Sequence, residues 1–167
     1  RRRMQGARAA RSVTKRLARA RDAAHLSITM SLSHVLYTKR LRLEPVTSEV
    51  IIAANRGRAA LEASIDAQID DGWRGEHVFG AGRSTTVDSK PRHMLVIHEA
   101  ARSLIGEVRF EPLRGGEGYE IGYAIASGWR RQGFATEATA AVIKRLEDHG
   151  AMQIIADLEG TTRGPYG

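Results

Sequence analysis

Between Tyr119 and Ala126, apolar and other residues alternate with a period of two. Tyr119, Ile121, Tyr123 and Ile125 fall on one face of a strand, and Glu120, Gly122, Ala124 and Ala126 on the other. The second face is nearly bare and carries a single carboxylate, Glu120. Ser127-Gly128 breaks the strand, and beyond residues 130–135 the period lengthens to that of a helix. Phe134 is followed by apolar side chains at Ala138, Ala141, Val142, Ile143 and Leu146, and His149-Gly150 supplies a stop. A strand thus feeds, through a turn containing glycine and arginines, into a helix N-terminus.

The pattern upstream is of the same mixed kind. Leu41 and Leu43 alternate with Arg40, Arg42 and Glu44, a strand over 37–45 with one wet face. Thr47 or Ser48 then caps a helix through Val50, Ile51, Ile52 and Ala54. Gly57 interrupts, and a second helical run takes in Ala60, Leu61, Ser64, Ile65, Gln68 and Ile69. Asp70-Asp71-Gly72-Trp73 opens a polar stretch that lasts to about Lys90-Pro91. Residues 93–99 and 103–110 read as strands joined by Ala100-Ala101-Arg102, and the glycine-rich 115–118 turn leads into the central strand. Residues 152–158 read as a further strand. His93 and His98 fall on opposite faces of theirs with no second ligand set, so no metal site is expected.

The turn has chemical meaning. The first N–H groups of a helix lack intrahelical partners, and the helix dipole adds partial positive charge there. A diphosphate would be held by those amides, with Gly133 permitting close approach, Arg130 or Arg131 adding charge, and Thr136 a hydroxyl. An ordinary strand–helix connection with two solvated arginines has the same pattern.

Arg130-x-x-Gly133-x-Ala135 fits the Q/R-x-x-G-x-G/A acetyl-CoA signature, and in this the chain resembles the GCN5-related N-acetyltransferases. The run EIGYAIASGWRRQGFATEA is similar to the RimJ/RimL-type branch, whose members acetylate protein N-termini or small amines. TKRLRLEPV (38–46) and LIGEVRF (104–110) resemble that branch's first strand and the strand before the signature. The resemblance implies an α/β (α+β) acyl-CoA N-acyltransferase fold: a mixed, mostly antiparallel sheet with helices on both faces. It implies acetyl-CoA as co-substrate, held by Arg130, Arg131, Gln132, Gly133, Phe134, Ala135 and Thr136, with backbone N–H groups near Ile125 and Ala126 on the thioester carbonyl. The helical region and loop through Asp70, Asp71 and Trp73 would shape the acceptor side; a solvated helix end with a packed indole is the plainer reading. The family continues past the 152–158 strand with an Asn-containing turn, a helix and two closing strands. Here nine residues follow Leu158, so the expectation is a domain over 30–167 lacking its C-terminal closure, with an open sheet edge that favours a homodimer.

Acetylating an amine requires a neutral amine, a route for its proton and stabilisation of the oxyanion. Glu120 is the candidate base, directly or through water, and Glu107 on the neighbouring strand is the runner-up. No general acid is assigned. The chain has no cysteine, so neither a thiol nucleophile nor thiolate metal ligation is available, and direct attack by the amine fits that lack.

Charge alters the picture at one end. Residues 1–25 hold nine Arg/Lys against one Asp, +8 of a net +7, which leaves −1 for the remainder. Residues 1–29 form a basic arm expected to lack fixed structure, able to bind phosphate backbones non-specifically. Its composition also suits a mitochondrial presequence or upstream sequence outside the natural protein. No run nears the ~18 apolar residues of a membrane span, so no membrane partner and a cytoplasmic location are expected. Two rivals stand beside the acetyltransferase: a non-catalytic CoA-binding remnant, and a nucleic-acid-binding protein acting through the arm.

Overall fold

The computed structural model describes residues 33–75, 92–113 and 118–156. The basic arm, most of the polar stretch before Pro91 and the segment after Ala156 lie outside the described residues. In chain order the elements are β1 (Leu36–Tyr37), β2 (Leu41–Pro45), α1 (Ser48–Asn55), α2 (Arg58–Ile65), β3 (Gln68–Ile69) and β4 (His93–His98). Then come β5 (Ser103–Pro112), β6 (Gly118–Ile125), a 3₁₀ turn (Ser127–Trp129), α3 (Phe134–Asp148) and β7 (Gln153–Ala156). The strands make one sheet in the order β1-β2-β4-β5-β6-β7, with β3 on β5. Pairings are antiparallel except β3 with β5 and β6 with β7. This is the mixed, mostly antiparallel sheet expected.

Each face of the sheet buries its own helices. On one, Val50, Leu61 and Ile65 of α1 and α2 pack with Leu95, Ile97, Leu104 and Trp73. On the other, α3 lays Phe134, Ala138, Val142 and Leu146, a strict i+4 row, onto Leu41, Leu43, Val96, Ile105 and Ile121. Full burial of one such aliphatic side chain is worth about 1.5–3 kcal/mol, so the row holds α3 far more firmly than helix propensity could. The ends of α3 explain its length. Gly150 (φ +93°) donates to the Glu147 carbonyl and Ala151 to that of Leu146, the double bond of a Schellman stop, while Gly133 (φ +80°) opens the helix.

Several expectations need correction. The second helical run ends at Ile65, because Asp66 turns left-handed (φ +48°), and Gln68–Ile69 instead pairs in parallel with Ser103 and Leu104. The stretch after it is therefore a strand exit rather than a helix end. Tyr123 shares the face of Ile121 and Ile125 but is 47% exposed, since α3 does not cover it. Strand β5 is not a plain alternation either. Val96 pairs with Gly106 and Ile97 with Leu104, so Ile105 is an extra residue, a bulge that puts both Leu104 and Glu107 on the α1/α2 face.

Candidate active site

The turn between β6 and α3 runs along the end of the sheet. Ala126 N–H donates to the Ile105 carbonyl at 2.8 Å, and Arg130 Nε donates to that of Ile125 at 2.8 Å. Trp129 packs at 4.9 Å from His98 and 5.8 Å from Phe134, between ring centroids, which anchors the turn to the end of β4. Arg131 then adopts a left-handed conformation (φ +59°), and so does Gly133. Gly133 offers no side chain to cap α3, and the helix's own bonding begins with Glu137 N–H to the Gly133 carbonyl. The amides of Phe134, Ala135 and Thr136 are left without intrahelical acceptors. Arg131, Gln132 and Thr136 are exposed beside them, and the Thr136 side chain bonds to nothing among the described residues. Amides without intrahelical acceptors, an exposed cation and an exposed hydroxyl thus fall within residues 131–136, a donor set that fits a diphosphate.

Arg130 fits less directly, because its Nε is spent on the strand that enters the turn; Arg131 is the freer of the two cations. Ala126 is corrected as a carbonyl-binding donor, since its N–H already bonds to Ile105. Backbone polarity alternates along a strand, so the N–H groups of Ile125 and Tyr123 point to the opposite edge, toward β7. The described pairing of β7 stops at Ile121 with Ala156, leaving that edge of Gly122–Ile125 uncovered by described residues.

The face carrying Glu120 is not bare. Cross-strand pairing sets Glu107, Arg109 and Glu111 of β5 beside Ala124, Gly122 and Glu120. Arg109 lies across Gly122, close enough that a Cβ there would meet its Nη2 at 3.1 Å. Glu111 is paired with Arg92 at 2.7 Å, and Glu107 is 2% exposed, accepting a hydrogen bond from Trp73 Nε1 at 3.0 Å. Half-buried Glu120 makes no hydrogen bond or ion pair among the described residues. It is the uncommitted carboxylate of this face.

The acidic stretch after β3 serves architecture. Asp70 Oδ2 accepts from Trp129 Nε1 at 2.7 Å and its Oδ1 from the Gly72 amide, while exposed Asp71 pairs with Arg58. Trp73 is the packed indole of the plainer reading, buried over Glu107. Sequence reasoning missed Arg40. It lies on the Phe134 ring, guanidinium carbon 4.2 Å from the centroid, and bonds to Glu137 in the first turn of α3. Burial pushes the Glu137 carboxyl up, but the Thr38 hydroxyl and the Arg40 guanidinium and amide together bring it below the usual carboxylate range. Among the described residues no group of three or more His, Asp or Glu could hold a metal, and no helix is long and apolar enough to cross a membrane.

A mixed sheet whose central strand delivers an open helix N-terminus, with helices on both faces, is the architecture of an acyl-CoA-dependent N-acyltransferase. The chain belongs to the GNAT acetyltransferase domain family, whose model matches residues 40–160. Members transfer acetyl groups from acetyl-CoA to amines, and this protein is an acetyltransferase. Among solved structures it is similar to a GNAT-family acetyltransferase from Bacillus anthracis (18% identity, TM-score 0.49, 74% of this chain and 72% of that one). It is also similar to a Vibrio cholerae protein provisionally named a ribosomal-protein-serine acetyltransferase (20% identity, TM-score 0.48, 76% of each chain). A GCN5-related N-acetyltransferase from Brucella melitensis is 16% identical (TM-score 0.42, 72% of this chain and 57% of that one). Comparison with curated proteins finds no match.

Proposed function

We propose that the protein acetylates a primary amine, a protein N-terminus or a small amine as in the RimJ/RimL-type branch, by direct attack of the amine on the thioester. The observation that carries this reading is one strand with a binding turn at one end and a free carboxylate toward the other. An extended ligand lying along β6 meets both. Acetyl-CoA supplies the activated acetyl group. Residues 131–136 hold its diphosphate through the open amides, the Arg131 charge and the Thr136 hydroxyl, with Arg130, Gln132 and Phe134 shaping the turn. The N–H groups on the β7-facing edge, that of Ile125 first, donate to the thioester carbonyl. Glu120 accepts the amine proton, directly or through one water, since neither of its oxygens is engaged by a described residue. Glu107 fixes Trp73 instead.

Two variants test the assignment. Gly133→Val places a β-branched side chain in a left-handed conformation and blocks the approach, so CoA affinity should fall at least about tenfold by calorimetry. Glu120→Gln should lower acetyl transfer to an amine panel by about 10²-fold or more and leave CoA affinity unchanged. A folded Gly133→Val protein that binds CoA like the wild type removes the turn. A fully active Glu120→Gln enzyme with an unaltered pH–rate profile removes the base.

A further inference from the structure

Arg40 is about a hundred residues from the turn in sequence, yet most of its side chain is committed to it. Its Nη1 donates to the Gln132 carbonyl at 3.0 Å, its Nε to Glu137 Oε2 at 2.7 Å, and its plane covers the Phe134 ring. Its backbone amide donates to Glu137 Oε1 at 2.9 Å, and the Thr38 hydroxyl donates to the same oxygen at 2.6 Å. The Arg40 backbone is itself held, because Thr38 Oγ1 accepts from the Leu41 amide at 2.9 Å and Thr38 N–H bonds to the Leu41 carbonyl. Nη2 lies beside Gly133, 3.4 Å from where a Cβ would sit.

From this we infer that Arg40 is a positioning residue for the diphosphate turn, a clamp from the start of β2 that fixes the residues on both sides of Gly133. The inference rests on the reading of that turn as the CoA site. Two physical effects follow from the geometry. The planar fork ties the last turn carbonyl, Gln132, to the first turn of α3, so the amides between them have one arrangement. The guanidinium also neutralises Glu137, whose carboxylate in the first turn would otherwise repel a phosphate at the same helix end.

A structural role alone would weaken every ligand together, whereas a clamp on the diphosphate turn acts only on ligands that carry the diphosphate. The test therefore measures CoA and pantetheine, which lacks phosphates, on the full chain: CoA by calorimetry, pantetheine by ligand-observed NMR. Arg40→Met keeps the stacking on Phe134 and loses the fork; it should weaken CoA at least about tenfold and pantetheine less than about twofold. Arg40→Lys restores charge but not the fork, so it should remain several-fold weak for CoA. Arg40→Lys carries the test if Arg40→Met fails to fold. Wild-type CoA affinity in Arg40→Lys, unchanged affinity in Arg40→Met, or equal loss of both ligands overturns the inference and leaves the site standing. A wild-type chain that does not bind CoA removes the site and the clamp together.

Discussion

Replacing Gly106 with alanine tests how closely β5 and β6 approach beside the bulge. A Cβ at this position would lie 2.3 Å from the Ala124 carbonyl oxygen, 2.7 Å from Ile125 Cδ1 and 3.1 Å from Ile125 Cα. The isoleucine methyl can rotate away; the two backbone atoms can yield only if β5 and β6 part. Overpacking of a dense interior costs about 1–3 kcal/mol. The alanine also restricts the unfolded chain, which returns about 0.4–1 kcal/mol. Because the closest contact is a backbone oxygen, the overpacking cost falls in the upper half of that range, about 2–3 kcal/mol, and the net loss of about 1–2.6 kcal/mol is large against a typical stability of 5–15 kcal/mol. At about 3–5 °C per kcal/mol for a domain of this size, Gly106→Ala should melt roughly 5–10 °C below the wild type by circular dichroism. Because the strain falls on Ala124 and Ile125, which lead into the turn, CoA affinity should fall as well. Gly128→Ala is the control: nothing lies within 4 Å of its Cβ position, and the melt should not move by more than a degree or two. A Gly106→Ala protein that melts with the wild type would refute the close approach of β5 and β6 at this point.

Trp73→Phe keeps the ring in its pocket and removes an N–H donor from the buried Glu107 carboxylate; a loss of about 1–3 kcal/mol is expected in urea unfolding, with CoA affinity intact. The Glu137 carboxyl titrates below its ordinary range when folded, so its stabilising effect is fully present above the unfolded value and fades as pH falls through the folded one. The melting-temperature advantage of the wild type over Glu137→Gln should therefore be largest near neutrality and vanish in strong acid. An advantage that grows on acidification would reverse the sign of the argument.

What could be read from the residues was what depends on local periodicity. The strand–turn–helix around Glu120 and Gly133, the Thr47 cap (accepting from the Val50 amide) and the His149-Gly150 stop all lie within one element or its ends, where the chain's own pattern decides the structure. What escaped depends on pairing between distant segments. The extra residue at Ile105 exists only relative to β4, and β3 is a strand only because Ser103 and Leu104 offer it an edge. Glu120's face looked bare because Arg109, its cover, belongs to another strand. Arg40 read as the wet side of β2, and no local signal joined it to Glu137, 97 residues away. For Asp70, Asp71 and Trp73 the plainer reading kept its packed indole, and the partners of the two carboxylates, the Trp129 indole and the Arg58 guanidinium, come from other segments.

The bulge also bears on how this strand can change in length. Elsewhere in β5, losing one residue would turn over every side chain on one side of the loss, sending Glu107 and Arg109 into the packing of α3 or Val108 and Phe110 toward Trp73. At Ile105 the arithmetic differs, because two residues there oppose a single step of β4. Losing that residue returns the strand to plain alternation with Leu104 and Glu107 still on their present face, at the expense of one buried isoleucine. Length variation among related chains should therefore be absorbed at this point in β5, and alignments that place a gap elsewhere in the strand would exchange its two faces.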